Sequence, residues 1–445
     1  MKHFVIVALA GIVSGTLAVT QIAAPLLAQE VKQNATVYQQ LDLFGDIFER
    51  IRAQYVEEVD EVELIEAAIN GMLTSLDPHS AYLPPEDAEQ MRVRTRGEFG
   101  GLGIEVTQED GFIKVVSPID GTPADEAGMA AGDFITHVDG DSVLGLTLDE
   151  AVKRMRGPVG SEIVITVVRE GESEPFDVSI IRDTIKLTAV RSRSHGKTVI
   201  LRITTFNDQT MPNLEVSLKE QLEKAGGINA INGIILDLRN NPGGLLSEAV
   251  RVSNAFLDKG EIVSTRGRDQ NSGERFNATS GDLAEGRPIV VLINGGSASA
   301  SEIVAGALQD HRRAIVVGTN SFGKGSVQTL IPLRSDGAMR ITTARYFTPS
   351  GRSIQALGVS PDIFVEQPRN RSADSSAKEE ESVPERSEDS LRGRLNNDSL
   401  TEDEIRQIEV DREQAKDSAL LREEDYQLAY AVDILKGLSA ITDKN

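Results

Sequence analysis

The stretch Asn294-Gly295-Gly296-Ser297-Ala298-Ser299-Ala300-Ser301-Glu302 marks the point at which an apolar strand gives way to a helix. The run before it, residues 288–293, is short and rich in Val and Ile, which is typical of a buried strand. After the serines, apolar residues recur at helical spacing, at Ile303, Val304, Ala307 and Leu308. Ser299 is therefore predicted to lie on a rigid strand-to-helix turn, facing the positive end of a helix dipole.

A second motif, Gly323-Lys324-Gly325-Ser326-Val327-Gln328, follows another short apolar strand at residues 314–317. Glycines on both sides of Lys324 let the backbone turn tightly and bring the ammonium close to other main chain. A serine and a neutral lysine together can carry out acyl transfer. Ser299 to Glu302 also fits the S-x-x-E capping box, in which the serine only satisfies open backbone donors, so the residues alone leave both interpretations open.

Taken together, the two motifs resemble those of the carboxyl-terminal processing proteases, also called tail-specific proteases, and the resemblance spans about residues 35–366. It implies a multi-domain α/β protein, with an α/β protease core of the tail-specific, crotonase-like type. An inserted β-rich PDZ domain and helical N- and C-terminal segments are implied with it. It also implies that Ser299 is the nucleophile, Lys324 the general base and Gln328 the group that orients the lysine.

The chemistry of this trio is physically reasonable. A serine hydroxyl is a poor nucleophile until a base takes its proton. The pKa of a lysine must fall by about three units from ~10.4 for it to act near neutrality, which costs about 4 kcal/mol, and burial supplies such a shift. The amide of Gln328 can hold the lysine amine without a negative charge that would raise the lysine pKa again.

The same residues partly fit other functions. Gly318-x-x-x-x-Gly323-Lys324 matches most of a P-loop, but Gly325 stands where Ser or Thr should bind magnesium, and a β-branched segment follows instead of a helix. A Ser/His/Asp triad would use Asp310 and His311, which lie about ten residues or ~15 Å along the helix from Ser299. The alternative from another class is a catalytically inactive PDZ scaffold or adaptor protein.

Residues 98–183 alternate short β patterns with two helical ones and resemble a PDZ domain. The resemblance implies that the backbone of its glycine-rich loop binds the terminal carboxylate of a peptide that adds a strand to the sheet. The matching residues are Gly101, Leu102, Gly103 and Ile104. In the protease family an arginine that ends the longer helix senses activation by touching the catalytic glutamine; Arg156 matches it, and a solvated arginine is the alternative.

The segment Arg239-Asn240-Asn241-Pro242-Gly243-Gly244 connects a predicted strand, 233–238, to a predicted helix, 247–258. Glycines at a strand-to-helix turn can direct bare N–H groups toward an anion. We therefore expect Gly243 or Gly244, together with the N–H of Ala300, to form an oxyanion hole, in which each donor lowers the barrier by roughly 3 kcal/mol. A Pro-Gly turn that only joins two elements is the alternative.

Composition limits the function further. The net charge of -23 opposes binding to nucleic acid or to an anionic membrane surface. The chain has no cysteine, so a thiol nucleophile and disulfides are excluded. Its five histidines are scattered without metal-ligand spacing, and we expect no metal and no cofactor.

The first residues, Met1-Lys2-His3, are followed by an apolar stretch to Ala28, which predicts a signal peptide or a membrane anchor and a location in the periplasm or cell envelope. The predicted organisation is a signal peptide or anchor at 1–28, an N-terminal helical region at 35–95, the PDZ domain at 96–183, the protease core at 184–366, a polar linker at 367–400 and a C-terminal helical tail at 401–445.

The expected partners are protein or peptide substrates with a free C-terminus, whereas a need for an adaptor protein stays open. An apolar seam at helical spacing runs along the N-terminal region, at Val37, Leu41, Phe44, Phe48, Ile51 and Tyr55. A second apolar set in the C-terminal tail, at Tyr426, Ala429, Tyr430, Val432 and Leu438, is predicted to dock on a partner surface. The N-terminal seam is predicted to pack on another subunit or on the C-terminal helices, and packing on the chain's own protease domain is the alternative. A homo-oligomer formed through the terminal helices is therefore expected.

Overall fold

The computed structural model describes residues 36–109, 111–269, 273–334, 336–367, 393 and 425–442. The chain divides into two units, Met1–Met72 and Leu73–Asn445. The predicted export segment, 1–28, and a helix predicted near 401–421 lie outside the described residues. Within the described ranges, no helix has the length and apolar character needed to cross a membrane.

The described part of the first unit, from residue 36, is mainly helical. Helix α1 spans residues 36–54, and helix α2, Glu61–Thr74, begins in this unit. The Asp60 carboxylate accepts hydrogen bonds from the N–H groups of Val62 and Glu63 and so caps the start of α2. The N-terminal part of the predicted apolar seam, Val37, Leu41 and Phe44, is more than half exposed.

A strand, a helix and a further strand lead into the PDZ segment: β1 (Ala81–Leu83), α3 (Pro85–Arg96) and β2 (Glu98–Gly101). Helix α3 has Pro85 as its first residue and ends at Gly97, whose φ of 67° is left-handed. The PDZ segment itself consists of β3 (Ile104–Glu109), β4 (Phe112–Pro118), α4 (Pro123–Glu126), β5 (Phe134–Val138), β6 (Asp141–Ser142), α5 (Leu148–Met155), β7 (Glu162–Val168) and β8 (Phe176–Ile181).

The PDZ sheet is antiparallel, with the strand order β3-β4-β5-β7-β8 and β6 paired to β5. Its core is aliphatic because apolar residues alternate along the strands, as in β7, where Ile163, Ile165 and Val167 are fully buried. Helix α5 is capped by Thr147 and Glu150 in a complete capping box. Among the described residues, strand β3 pairs only with β4, and its outer edge carries no further strand.

The protease core alternates strands and helices. They are β9 (Asp183–Lys186), β10 (Val190–His195), β11 (Thr198–Ile203), α6 (Thr210–Ala225), β12 (Gly233–Asp237), α7 (Leu246–Asn254), β13 (Glu261–Gly267), β14 (Arg275–Asn277), β15 (Ile289–Ile293), α8 (Ala300–Asp310), β16 (Ala314–Gly318), β17 (Ser326–Pro332), β18 (Ala338–Phe347) and β19 (Ile363–Phe364). One sheet has the order β10-β11-β12-β15-β16-β19 and is parallel from β11 to β19; in another, β17 pairs with β18 and the order is β1-β18-β13-β14.

The parallel sheet is covered on both faces, which explains why its central strands are continuous apolar runs. All five residues of β12 and all five of β15 are buried. On one face, alternate residues such as Leu236 and Val291 join the core formed with α6, α7 and α8. On the other face, Ile235 and Val290 belong to a separate apolar cluster.

The last described helix, α9 (Tyr426–Thr442), covers this second face. Leu428, Ala431, Val432 and Leu435 are buried against the sheet, with the i, i+3, i+4, i+7 spacing of a single helical stripe. Of the residues predicted to dock on a partner surface, Val432 is buried in this stripe and Tyr426 and Tyr430 pack beside it, so for these three residues the prediction is wrong. The apolar stripe of α9 is used within the chain, because the parallel sheet has a second face that needs a cover.

A buried ion-pair cluster ties α9 to the loop after β12. Arg239 donates to both carboxylate oxygens of Asp237 at 2.8 Å and to Asp425, directly before α9, at 2.6 and 2.9 Å. Because the guanidinium is almost fully buried, such bidentate pairing is needed to compensate its lost hydration. The start of the predicted oxyanion loop is thereby fixed to α9.

Candidate active site

Ser299 stands between β15 and α8, as the strand-to-helix pattern predicts. Its backbone has a φ of 54° and a ψ of -110°, a conformation that residues other than glycine rarely adopt. Such backbone strain occurs preferentially at functional sites. The side chain is nearly buried, and its main-chain N–H donates a hydrogen bond of 2.7 Å to the Glu302 carboxylate.

Glu302 is the link between the two motifs. One carboxylate oxygen, Oε2, accepts the N–H groups of Ser299 at 2.7 Å and Lys324 at 2.9 Å. The other, Oε1, accepts the Ser321 hydroxyl at 2.5 Å and the Gly323 N–H at 2.7 Å. The turn around Ser299, the predicted nucleophile turn, and the loop around Lys324, the lysine loop, are thus held by a single side chain.

The electrostatics of Glu302 follow from its position. Complete burial raises the pKa of this carboxyl to about 7, and the four hydrogen bonds from Ser299, Ser321, Gly323 and Lys324 oppose that rise. From the sequence, this glutamate is assigned only to a helix cap. Because Glu302 is the third residue of α8, the sequence around it predicts the hydrogen bond to the Ser299 N–H. Nothing in that sequence predicts the bonds from Ser321, Gly323 and Lys324.

Lys324 is half-buried in the loop between β16 and β17. A Cβ added to Gly325 would lie 2.3 Å from the N atom of Gln355, and one added to Gly323 would lie 3.1 Å from the carbonyl carbon of Ala356. The segment around residues 355–358 therefore passes close to the loop on both sides of the lysine. Only glycine at these two positions allows that approach.

Gln328 lies on β17 immediately after a register shift between Val327 and Gln328. Its Nε2 donates to the Ser326 hydroxyl at 3.2 Å and to the Thr342 hydroxyl at 2.9 Å. Its Oε1 is buried and has no hydrogen-bond partner among the described residues. A buried carbonyl oxygen without a partner is costly, and this one is suited to accept a hydrogen bond from an amine.

Tyr346, at the end of β18, contributes a hydroxyl that sequence patterns do not indicate. Burial raises the pKa of Tyr346 to about 12, and a hydrogen bond with the Ser299 side chain opposes that shift. The phenol is therefore neutral at ordinary pH and is unable to act as a base toward Ser299. The main-chain N–H of Tyr346 donates to the Gly325 carbonyl at 2.7 Å, which also fixes the strand to the lysine loop.

The two glycines of the predicted oxyanion loop lie against the nucleophile turn. A Cβ added to Gly243 would lie 2.9 Å from the Cβ of Ser299 and 3.0 Å from the N atom of Ala300. The Gly243 N–H already donates to the Asn241 side chain at 2.9 Å. Among the described residues, no hydrogen bond is donated by the N–H of Gly244 or of Ala300, so these two donors are open.

The substitution Gly244→Ala tests this loop. An added Cβ would lie only 2.0 Å from the Phe206 carbonyl oxygen, and the φ of 146° is unfavourable for alanine, so the loop must shift. We expect kcat for peptide cleavage to fall about 100-fold, the effect of losing one oxyanion donor. The control is Gly226→Ala, which has a left-handed φ of 89° but no neighbour within 4 Å and should leave kcat unchanged. Equal losses of kcat in both variants would contradict the oxyanion role.

The alternative triad is not assembled. His311 Nε2 lies 2.7 Å from the Glu261 carbonyl oxygen, and Asp310 accepts the N–H of Ser350 at 2.9 Å. Neither side chain has a recorded bond to Ser299, since both are turned toward segments at the far end of α8. Among the described residues, no cluster of His, Asp or Glu could hold a metal ion.

In the glycine-rich loop of the PDZ segment, carbonyl groups accept hydrogen bonds from the chain, whereas N–H groups are available to a ligand. The carbonyl of Leu102 accepts the Ala124 N–H at 2.9 Å, and the carbonyl of Gly103 accepts the Ile119 N–H at 2.8 Å. No hydrogen bond within the described residues is donated by the N–H of Leu102 or Gly103. Ile104 begins the open edge strand β3, so a terminal carboxylate and an added strand can be bound side by side.

Arg156 follows α5 directly and stacks on an aromatic ring. Its guanidinium carbon lies 4.2 Å from the centre of the Phe99 ring, the distance of a cation–π contact. It makes no hydrogen bond with Gln328, whose recorded partners are Ser326 and Thr342. The contact predicted for an activation sensor is therefore not formed in this structure.

Comparison with known families matches three segments of the chain. The model of peptidase family S41 matches residues 197–365, and that of a PDZ domain matches residues 114–169. The model of the activating protease CtpB N-terminal domain matches residues 10–87.

Individual proteins match most of the chain. A carboxy-terminal-processing protease of Bartonella bacilliformis is 58% identical over 345 residues, which are 77% of this chain and 79% of that protein. A probable CtpA-like serine protease of Staphylococcus aureus is 36% identical over 368 residues, 82% of this chain and 73% of that protein. A solved photosystem II D1 C-terminal processing protease is 30% identical with a TM-score of 0.41, covering 73% of this chain and 92% of the other.

Proposed function

This chain belongs to the carboxy-terminal-processing proteases of peptidase family S41, and we propose that it cleaves peptide bonds with Ser299 as nucleophile, Lys324 as base and Gln328 as orienting group. It is a serine protease with a PDZ domain. The observation that carries the proposal is the Glu302 carboxylate, which binds the N–H groups of both Ser299 and Lys324 on one oxygen. Because the main-chain N–H groups of these two residues donate to the same carboxylate oxygen, the two residues lie side by side in one site.

In the proposed reaction the Ser299 hydroxyl attacks the substrate carbonyl carbon while its proton passes to the neutral Lys324 amine. The carbonyl oxygen becomes an oxyanion, which the open N–H groups of Gly244 and Ala300 stabilise. The lysine then returns the proton to the leaving amine, and the peptide bond breaks. Water then attacks the acyl carbon while Lys324 takes its proton, the ester bond to the Ser299 oxygen breaks, and Lys324 returns the proton to that oxygen. This step releases the fragment with the new carboxyl end.

The buried groups around Ser299 favour lysine as the base. Tyr346 is neutral because burial raises its pKa to about 12, and so it can only donate to, or accept from, the serine as a phenol. The buried Oε1 of Gln328 supplies an acceptor for the lysine amine without adding charge to the site. A carboxylate at that position would stabilise the ammonium and oppose catalysis.

PDZ domains bind peptide C-termini, and we propose that this one captures substrates whose last residues are apolar. The open N–H groups of Leu102 and Gly103 support carboxylate binding, and the open edge of β3 supports addition of a peptide strand. Cleavage would follow within the captured chain, as C-terminal processing or degradation.

The experiment compares one unstructured protein with a free C-terminus and the same protein with an amidated C-terminus. The amide lacks the negative charge that the loop donors recognise, so we expect kcat/KM to be at least about tenfold lower, mainly through KM. The variant Gly103→Ala should remove the difference, because the added Cβ would lie 2.3 Å from Thr122. Gly140→Ala, which has nothing within 4 Å, is the matched control. Equal cleavage of both substrates by the wild type would contradict capture by the C-terminus.

We also propose that the protein is exported to the periplasm or cell envelope, on the basis of the basic start and apolar stretch in residues 1–28. Fractionation of cells that express the full chain tests this, with N-terminal sequencing to separate cleavage from anchoring. Recovery of the uncleaved chain in the cytosol would contradict it.

Self-association through α1 is the remaining proposal about partners. The exposed apolar residues Val37, Leu41 and Phe44 support contact with a second copy. Light scattering of the wild type and of Leu41→Asp should show a larger mass for the wild type. A monomeric wild type would contradict self-association.

A further inference from the structure

A cavity lined by arginines lies at one edge of the parallel sheet, and the proposed reaction does not use it. In the register of β10 with β11, Arg191 lies directly opposite Arg202, and Arg193 lies opposite Ile200. Side chains two residues apart share one face of a strand, so Arg191 and Arg193 lie on the same face. The cavity has a volume of about 250 Å³ and is lined by Arg191, Ser192, Arg193, Ile200, Arg202 and Asp237.

The positive charge of this cavity is only partly balanced. Both oxygens of Asp237 accept hydrogen bonds from Arg239 at 2.8 Å, and the Arg202 guanidinium lies 3.9 Å from the same carboxylate. Among the described residues, neither Arg191 nor Arg193 forms an ion pair. Like charges directly opposite each other in an antiparallel pair are destabilising. A bound anion would relieve the repulsion between Arg191 and Arg202.

Strand β10 is the first strand of its sheet. Among the described residues it pairs only with β11, and its outer edge carries no further strand. The side chains of Ser192 and Ser194, which alternate with the arginines, are bonded to Gln221 of α6 at 3.1 and 2.8 Å. Ile200, by contrast, belongs to the apolar cluster under α9, so the cavity lies on the α9 face of the sheet. An extended peptide can therefore add to the edge of β10 with one of its own faces beside the cavity.

We propose that the outer edge of β10 and the arginine cavity bind an extended acidic segment of another protein, with Asp or Glu at alternate positions. A strand added to β10 turns every second side chain toward the face that carries Arg191 and Arg193. Carboxylates at those positions can pair with the guanidinium groups in the bidentate geometry that arginine favours. The cavity is smaller than the roughly 300–1,000 Å³ of small-molecule sites, which favours side-chain carboxylates over a whole cofactor.

The charge of the whole chain favours a peptide over an anionic membrane surface. Screening limits the reach of a charge to about 8 Å at physiological salt, so a short acidic segment meets mainly the local positive charge of the cavity. A membrane surface faces a much larger part of a chain whose net charge is -23, and that charge repels it.

The first test measures binding of a peptide that contains Thr-Glu-Thr-Glu-Thr. Its C-terminus is amidated so that it lacks the carboxylate proposed to bind the PDZ loop, and the full chain carries Ser299→Ala so that the peptide stays intact. The control peptide contains Thr-Glu-Glu-Thr-Thr, which has the same charge but places its two carboxylates on opposite faces of a strand. We expect the Kd from fluorescence anisotropy to be about tenfold lower for the alternating peptide. Equal Kd values would overturn the proposal.

Substitutions test whether the arginines bind this peptide. Arg191→Gln and Arg193→Gln should each raise its Kd about tenfold. The matched control is Lys197→Gln, which removes one positive charge from the turn of the same hairpin, outside the cavity, and should change Kd less than about twofold. Equal increases in all three variants would show general attraction to basic charge and overturn the proposal. Aggregation of Arg191→Gln with an unchanged Kd would show that the arginines only protect an edge strand, and would also overturn it.

Methylation of alternate backbone nitrogens in the peptide tests strand addition. In an added strand, one alternate set of N–H groups faces β10 and the other faces solvent. Methylation of one set should therefore raise Kd at least about tenfold, while methylation of the other leaves it within about threefold. Equal effects of the two sets would overturn strand addition. Vesicles of phosphatidylglycerol that bind the wild type more tightly than the peptide does, but do not bind Arg191→Gln, would assign the cavity to a lipid headgroup and overturn the proposal.

Discussion

Replacement of Ser299 or Lys324 by alanine is expected to abolish peptide-bond cleavage, with kcat falling on the order of 10⁴-fold or more. Without the serine no acyl-enzyme forms, and without the lysine nothing takes the serine proton. Lys324→Arg should be as inactive as Lys324→Ala, because a guanidinium is always protonated and cannot act as a base. The measurement is turnover of an unstructured protein substrate at neutral pH, with circular dichroism to show that each variant is folded.

His311→Ala provides the contrast, since a Ser/His/Asp enzyme would lose its base. The His311 ring is bonded to the Glu261 carbonyl, away from Ser299, and we expect kcat within about twofold of the wild type. Loss of activity in His311→Ala with full activity in Lys324→Ala would reverse the assignment of the base. A wild type that is itself inert on every substrate would favour the inactive PDZ scaffold.

Glu302→Gln is expected to have the second largest effect. An amide has one acceptor end and one donor end, whereas all four groups around Glu302, namely Ser299, Ser321, Gly323 and Lys324, are donors. The NH₂ end therefore opposes two donors, and either the nucleophile turn or the lysine loop must move. We expect kcat to fall about 10³-fold, since a small misplacement of reacting groups costs large factors in rate.

The control for this substitution is Glu248→Gln in α7. Glu248 is as deeply buried and accepts the main-chain N–H of Met211 at 3.1 Å, but none of its recorded partners belongs to the site. Glu248→Gln should lower the free energy of unfolding, while kcat stays within about twofold of the wild type. A normal kcat in Glu302→Gln would show that the shared carboxylate does not position the serine and the lysine.

The raised pKa of the Glu302 carboxyl leads us to expect that the stability of the fold depends on pH. Burial raises the folded-state pKa of Glu302 from 4.5 to about 7, so the folded chain binds more protons than the unfolded chain between these values. Stability is then highest below the unfolded pKa and falls as pH rises through the window, by about 3 kcal/mol at ~1.36 kcal/mol per unit. Urea unfolding should show a larger advantage of the wild type over Glu302→Gln near pH 5 than near pH 8. An advantage independent of pH would contradict this assignment.

The local elements of the fold were predictable because their signals are local. The apolar run before Ser299 is a buried strand, β15, and the periodic residues after it form α8. The two motifs point to Ser299, Lys324 and Gln328, the residues of the proposed mechanism, since each is embedded in a short glycine- and serine-rich sequence. A helix at the position of α9 was predictable, but of the apolar set expected in it only Val432 belongs to the buried stripe. Spacing alone does not tell which surface a stripe covers.

The non-local parts of the site could not be predicted. Tyr346 and Thr342 lie on β18, and their neighbours depend on the register between strands distant in sequence. A one-residue shift of that register would turn both side chains to the opposite face of the sheet. The partners of Glu302 likewise come from the loop around residues 321–324, which lies beyond the end of α8.

The use of α9 to cover the second face of the sheet has a consequence for biosynthesis. The ribosome makes every strand of that sheet before it makes residues 425–442, so the growing chain carries a bare apolar face until Leu428, Ala431, Val432 and Leu435 have emerged. Arg239, beside the oxyanion loop, lacks its Asp425 partner for the same period. A prematurely terminated chain that ends before residue 425 therefore lacks both the packing of α9 on this face and the Asp425 contact that fixes the predicted oxyanion loop, and we expect it to be inactive as a protease.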